Sequence, residues 1–184
     1  QSGRATAVPG TRATLLVERT DDEGIAPVGG GDVAVHRLPG RAAALEIGDR
    51  LSATRYVFSS GRHTVVPTDD LQLVLRASVS LRPLEDSWLQ ALRLPRRLPA
   101  GFYLVTFTAN GRPSQSVLQV TALAPYVLVS RTRTFVWVND VVRRAPIAGT
   151  RVGVLEGPSL GRTGARGILD AATPAALLES ADDD

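Results

Sequence analysis

The chain has 184 residues, 43% hydrophobic and 21% charged, with a formal net charge of +3 and neither cysteine nor methionine. Such a balance supports a packed core. The missing cysteine excludes disulfides, thiolate metal sites and cysteine nucleophiles. All 21 basic residues are arginine, so a phosphate loop or Schiff base that needs lysine is excluded as well. No apolar run approaches the roughly 20 residues that cross a bilayer as a helix. A chain without an initiating methionine is expected to be a processed product or an excised fragment.

In chain order, residues 1–10 are expected to be a flexible lead-in. "TRATLLVER" (11–19) predicts a strand that ends in the polar turn "TDDEG". "GGGD" (29–32) predicts a turn with glycines at positive φ. "DVAVHRLPG" predicts a strand that stops at Pro39-Gly40. "RAAALEIGDRL" has the composition of a short helix. "TRYVFSSGRHTVVP" predicts a hairpin turning at 59–62. In "LQLVLRASVSLRP" the residues Leu71, Leu73, Leu75, Ala77, Val79 and Leu81 alternate with Gln72, Arg76, Ser78 and Ser80. This predicts a strand with one wet face, Val74 being the exception. "DSWLQALRLP" adds a short strand.

"LPAGFYLVTFTANGRPSQSVLQV" (98–120) predicts an antiparallel hairpin, because Asn110-Gly111 favours a two-residue turn. Tyr103, Val105 and Phe107 share one face; Phe102, Leu104 and Thr106 share the other. Tyr103 follows a tight corner, where sandwich domains tie a tyrosine hydroxyl to upstream backbone. "TALAP" (121–125) predicts a short linker. "YVLVSR", "TFVWVND" and "TRVGVLEG" are further strands, and "TFVWV", apolar on both faces, should be central. "GRTGARG" is expected to be a glycine turn entering "ILD", and 171–184 to be weakly structured before three acids.

Chemistry-bearing residues do not converge. His36 and His63 are isolated, with no pair at ligand spacing. Ser59, Ser60, Ser78 and Ser80 lack a nucleophile-elbow context. The carboxylate groups Asp21-Asp22-Glu23, Asp69-Asp70, Glu85-Asp86 and Asp182–Asp184 fall in predicted turns or at the end of the sequence. Neither glycine-rich stretch is followed by the helix that a phosphate loop requires. The arginines are scattered, with doublets only at Arg96-Arg97 and Arg143-Arg144, which argues against nucleic acid. The expectation is a non-enzymatic chain with no catalytic, cofactor-binding or metal residues. Its core bets are Trp88, Tyr103, Phe107 and Trp137.

Turn signals recur roughly every 8–12 residues, the spacing of β-sandwiches. The fold expected is all-β: tandem immunoglobulin-like sandwiches over 1–122 and 123–184. The second, at about 60 residues, is short of the ~100 of a full sandwich and is expected to be incomplete.

Several motifs occur in an order that resembles bacterial alpha-2-macroglobulins. They are Pro99, Gly101, Tyr103 and Val105; Val120 and Thr121; Val136, Trp137 and Val138; Pro146, Ala148, Gly149, Val152 and Val154; and Gly161, Thr163 and Gly167. Gly164 stands where that family usually has an acid, and "RRAP" replaces the usual "t-G-k-P". The resemblance implies macroglobulin domains from a periplasmic or extracellular protein that traps proteases. Its implied partners are target proteases and other domains of the same chain, with no nucleic acid and no membrane insertion. The thioester of many members needs a cysteine, which this sequence lacks. The run from Pro146 to Gly167 also resembles carboxypeptidase-regulatory-like sandwiches, which are accessory binding or adhesion modules of exported proteins.

Overall fold

The computed structural model describes residues 4–18, 29–53, 65–85, 89–155 and 157–178. The chain divides into two compact units, residues 1–121 and 122–184.

The first unit is a seven-stranded sheet built from β1 (Arg4–Ala7), β2 (Thr14–Glu18), β3 (Gly30–Arg37), β4 (Gln72–Pro83), β5 (Leu89–Arg93), β6 (Gly101–Ala109) and β7 (Arg112–Val120). Its order is β1-β7-β6-β3-β4-β5-β2. Only β1 runs parallel to its neighbour, with Ala7 opposite Val120. The two outermost strands feed one core. Ala5 and Ala7 of β1 pack on it from one end of the sheet, Leu15 and Val17 of β2 from the other. The sheet therefore curls over its own inner face, where Val33, Val35, Leu75, Leu92, Tyr103, Val105, Phe107 and Leu118 are buried. Curling hides apolar area without a second chain segment to cover it.

The convex face carries a second, smaller core. Helix α1 (Arg41–Ala53) begins just after Pro39-Gly40, where proline and glycine end β3's run. Ala44, Ile47 and Leu51 recur at helical spacing and pack toward Leu38, Val66, Leu104 and Val117. Gln115 pins the segment before β4 to this face: its Oε1 accepts from the Val66 N–H at 2.7 Å, and its Nε2 donates to the Val66 carbonyl at 3.0 Å. Strand β6 is thus apolar on both sides because both are covered, Tyr103 inside and Leu104 beneath the helix. The β6–β7 turn is the expected two-residue one, with Asn110 at φ 51° and Gly111 at φ 74°.

Three sequence expectations for this unit are corrected. Residues 4–7 are a strand and not a flexible lead-in, because alternating alanines are small enough to lie against the core. Gly30 and Gly31 are β3 residues without positive φ. Their value is close approach: a Cβ would strike the carbonyl oxygens of Val79 and Thr108 on the flanking strands. Strand β4 does not keep one face throughout. Val35 lies opposite Leu75 and His36 opposite Leu73, so Val74 is an extra, bulged residue. The bulge turns Val74 toward the inner core and leaves Leu73 exposed, which explains why Val74 broke the alternation. The expected hairpin turn at 59–62 lies outside the described residues, as does Trp88.

The second unit holds β8 (Leu123–Val129), β9 (Arg133–Asp140), β10 (Ala145–Pro146), β11 (Arg151–Gly153), β12 (Ser159–Arg162) and β13 (Ile168–Ala172), then a short 3-10 turn. Strand β9 is central, as expected, between β8 on one side and β10 and β13 on the other. β11 and β12 form a separate antiparallel pair. The expected linker 121–125 is shorter than its proline suggested, since β8 already includes Pro125. Val138, opposite Pro125, directs its N–H to Gly167 and its carbonyl to Ile147 on the far side of β9. Pro125 therefore faces the open edge of the sheet, and its missing N–H breaks no ladder bond.

Candidate functional site

The residues that carry the sequence motifs organise backbone. The Tyr103 hydroxyl donates to the Pro99 carbonyl at 2.8 Å, the tie expected of a tyrosine that follows a corner. The side chain is 1% exposed. Burial pushes its hydroxyl above the ordinary pKa, against a smaller opposing effect of the Arg37 charge. Phe107 is buried in the same core.

Thr163 does comparable work in the second unit. Its Oγ1 donates to the Ile147 carbonyl at 2.7 Å and accepts from the Thr150 N–H at 3.0 Å. Its backbone N–H donates to the Thr150 carbonyl, and its own carbonyl accepts from Gly149 at 2.7 Å. Gly149 takes φ 71° to make this possible. Gly167, also at φ 71°, leaves no room for a Cβ, which would lie 2.6 Å from the Val138 carbonyl oxygen and 2.9 Å from Pro146. In "GRTGARG" the positive φ falls on Gly161 and Gly167, not on Gly164. The spaced motif from Pro146 to Gly167 is a hydrogen-bonded brace around one threonine.

Trp137 is corrected. It is 44% exposed. The β9 side chains Thr134, Val136 and Val138 point to the buried side, whereas Phe135 and Trp137 point to the other. "TFVWV" is central in its sheet, but among the described residues only one of its faces is covered. On the uncovered face Tyr126 of β8 and Ile168 of β13 flank Trp137 in register, and Leu128 and Asp170 flank Phe135. Arg133 binds Asp170 at this edge, its Nε donating at 2.9 Å. That hydrogen bond holds the Asp170 carboxyl below its ordinary pKa.

The remaining candidates stay apart. His36 is buried, and its Nδ1 has no hydrogen-bond partner among the described residues. Burial, then the neighbouring Arg76 charge, lower its pKa. Ser78 donates to Asp32 at 2.6 Å, an exposed pair with no base behind it. Asp69 and Asp70 are exposed in a turn, and Glu85 is exposed. His63, Ser59, Ser60, Asp21-Asp22-Glu23, Asp86 and Asp182–Asp184 lie outside the described residues. Among those described, no three His, Asp or Glu side chains gather into a metal-ligating group. Reading from sequence missed Gln115, whose role depends on a loop 49 residues away.

This architecture, a curled sheet with one helix followed by a small β unit, is a macroglobulin-like one. Two solved structures of native alpha-2-macroglobulin from Escherichia coli share it. The one spanning domains NIE-MG1 aligns with a TM-score of 0.54 at 16% identity, over 93% of this chain and 85% of that one. The one spanning MG0-NIE-MG1 aligns with a TM-score of 0.51 at 15% identity, over 90% of this chain. This chain spans 53% of that longer structure. No family model matches the sequence, and no curated protein does.

Proposed function

We propose that the chain is a scaffold section of a periplasmic or extracellular alpha-2-macroglobulin-like protease inhibitor. In this reading the first unit corresponds to NIE and the second to MG1. The observation that carries it is the alignment of 93% of the chain, both units in order, with the NIE-MG1 structure. The side chains fit a mechanical role: the best-anchored polar groups, Tyr103, Gln115 and Thr163, all bind backbone. Such a section holds neighbouring domains and transmits the collapse that follows bait cleavage elsewhere in the parent. Its partners would be those domains and, through the parent, target proteases. It performs no catalysis of its own.

The test uses the parent protein, obtained by following the gene beyond this segment. Mixed with an endopeptidase, the parent should suppress digestion of a large protein substrate while cleavage of a small peptide substrate continues. Equal cleavage of both with and without the parent would sink the reading.

One observation favours a second reading, the accessory binding module of an exported protein. Tyr126 and Trp137 stand exposed, side by side, with Asn139 on the same face. Paired aromatic faces stack on sugar rings, and a polar rim orients them. Retardation of the chain in a gel containing polysaccharide, abolished in Trp137→Ala, would favour this module. Unchanged migration would remove it.

A further inference from the structure

Three arginines distant in sequence meet on the outer face of the first unit. Arg82 of β4 lies opposite Ala91 of β5, and Leu16 of β2 lies opposite the same Ala91. Arg93 lies opposite Thr14, one step along the same face. Arg12 precedes β2 and completes a shallow groove, which Thr14, Ser80, Leu84 and Glu85 also line. Arg12, Arg82 and Arg93 make no ion pair among the described residues. Among the described residues Glu85 is the single acid lining the groove. Like charges held on adjacent strands repel, and an arriving anion relieves that repulsion.

Two features narrow the anion. Guanidinium groups and the hydroxyls of Thr14 and Ser80 all donate hydrogen bonds, which suits phosphate oxygens. Beside them stand exposed leucines: Leu16, 53% exposed, shares the row of Arg82, and Leu84, 36% exposed, lies in the groove. Among the described residues no aromatic side chain lines the groove for base stacking. Guanidinium next to exposed leucine fits a surface with phosphate above and hydrocarbon below. We infer that this groove is a docking surface for phosphodiester headgroups of an anionic lipid surface.

Flotation with vesicles of phosphatidylglycerol and phosphatidylcholine tests it, with phosphatidylcholine alone as blank. The chain should float with the anionic vesicles, and added salt should release it. Arg82→Gln combined with Arg93→Gln should weaken partitioning about thirtyfold. Arg12→Gln, outside any strand, gives an independent loss. Leu16→Ser should weaken partitioning without changing the chain's net charge. The control removes the same charge elsewhere, Arg41→Gln with Arg112→Gln, both exposed, and should retain most of the binding. Equal loss in control and groove variants would reduce the effect to general positive charge and overturn the site. So would binding of glycerol phosphate in solution without vesicle flotation, tighter binding to duplex DNA than to vesicles, or no binding above the blank.

Discussion

The two units spend similar apolar residues differently. In the first, aromatic and aliphatic side chains of β6 are covered on both sides, by the curled sheet inside and by α1 outside. In the second, β8 reads "LAPYVLV", and all of its residues but Ala124 are exposed. Tyr103 is 1% exposed and Tyr126 is 60% exposed, although both sit in apolar strands. Apolar composition therefore announces a strand without saying which layers cover it. What closes the first unit is curvature; what braces the second is a hydrogen-bonded turn around Thr163.

Mutations can break this contrast. The largest effect should come from Tyr103→Ala, at about 3–5 kcal/mol for a large buried ring. Chemical denaturation should show the first unit unfolded or nearly so, while Tyr103→Phe should cost only about 1 kcal/mol, the net value of one hydrogen bond. Retention of parental stability in Tyr103→Ala would place the core elsewhere. Next, Gly167→Ala should cost about 1–3 kcal/mol from backbone strain, with more from the Val138 contact. Hydrogen exchange should register that loss in residues 122–178 and leave β3 and β6 protected. Uniform loss would mean that the two units unfold as one.

A pH titration should separate the units more gently. The His36 pKa lies below its ordinary 6.5 when folded. The unfolded chain therefore binds more protons as pH falls through 6.5, and stability is lost on acidification toward the folded pKa. The first unit should melt earlier at pH 5 than at pH 7.5, and His36→Gln should flatten that dependence. An unchanged slope in His36→Gln would assign the acid sensitivity to other groups. The smallest effect is expected at Trp137→Ser, about 1 kcal/mol for a ring that is 44% exposed. A destabilisation as large as that of Tyr103→Ala would show that Trp137 is covered after all.

Much of the fold was legible because its signals are local. Asn110-Gly111 placed the β6–β7 turn, Pro39-Gly40 the end of β3, and the corner before Tyr103 its hydroxyl bond. What escaped depended on distant partners. The strand at Arg4–Ala7 exists because β7 offers an edge to it. The bulge at Val74 shows only as a broken alternation until β3 is laid beside it. Trp137 looked like core because a strand's own residues do not reveal which of its faces is covered; here Trp137 is 44% exposed. The grouping of Arg12, Arg82 and Arg93 is invisible along the chain, since register alone brings three well-separated positions to one groove.

The parallel pairing of β1 with β7 also bears on how the protein is made. Arg4 meets Val117, so one edge of the first sheet stays open until nearly the whole first unit has left the ribosome. Such a long loop closes slowly, and the exposed intermediate invites chaperones in the meantime. Ribosomes stalled before residue 117 should carry a protease-sensitive nascent chain; those stalled well beyond residue 120 should carry a resistant one.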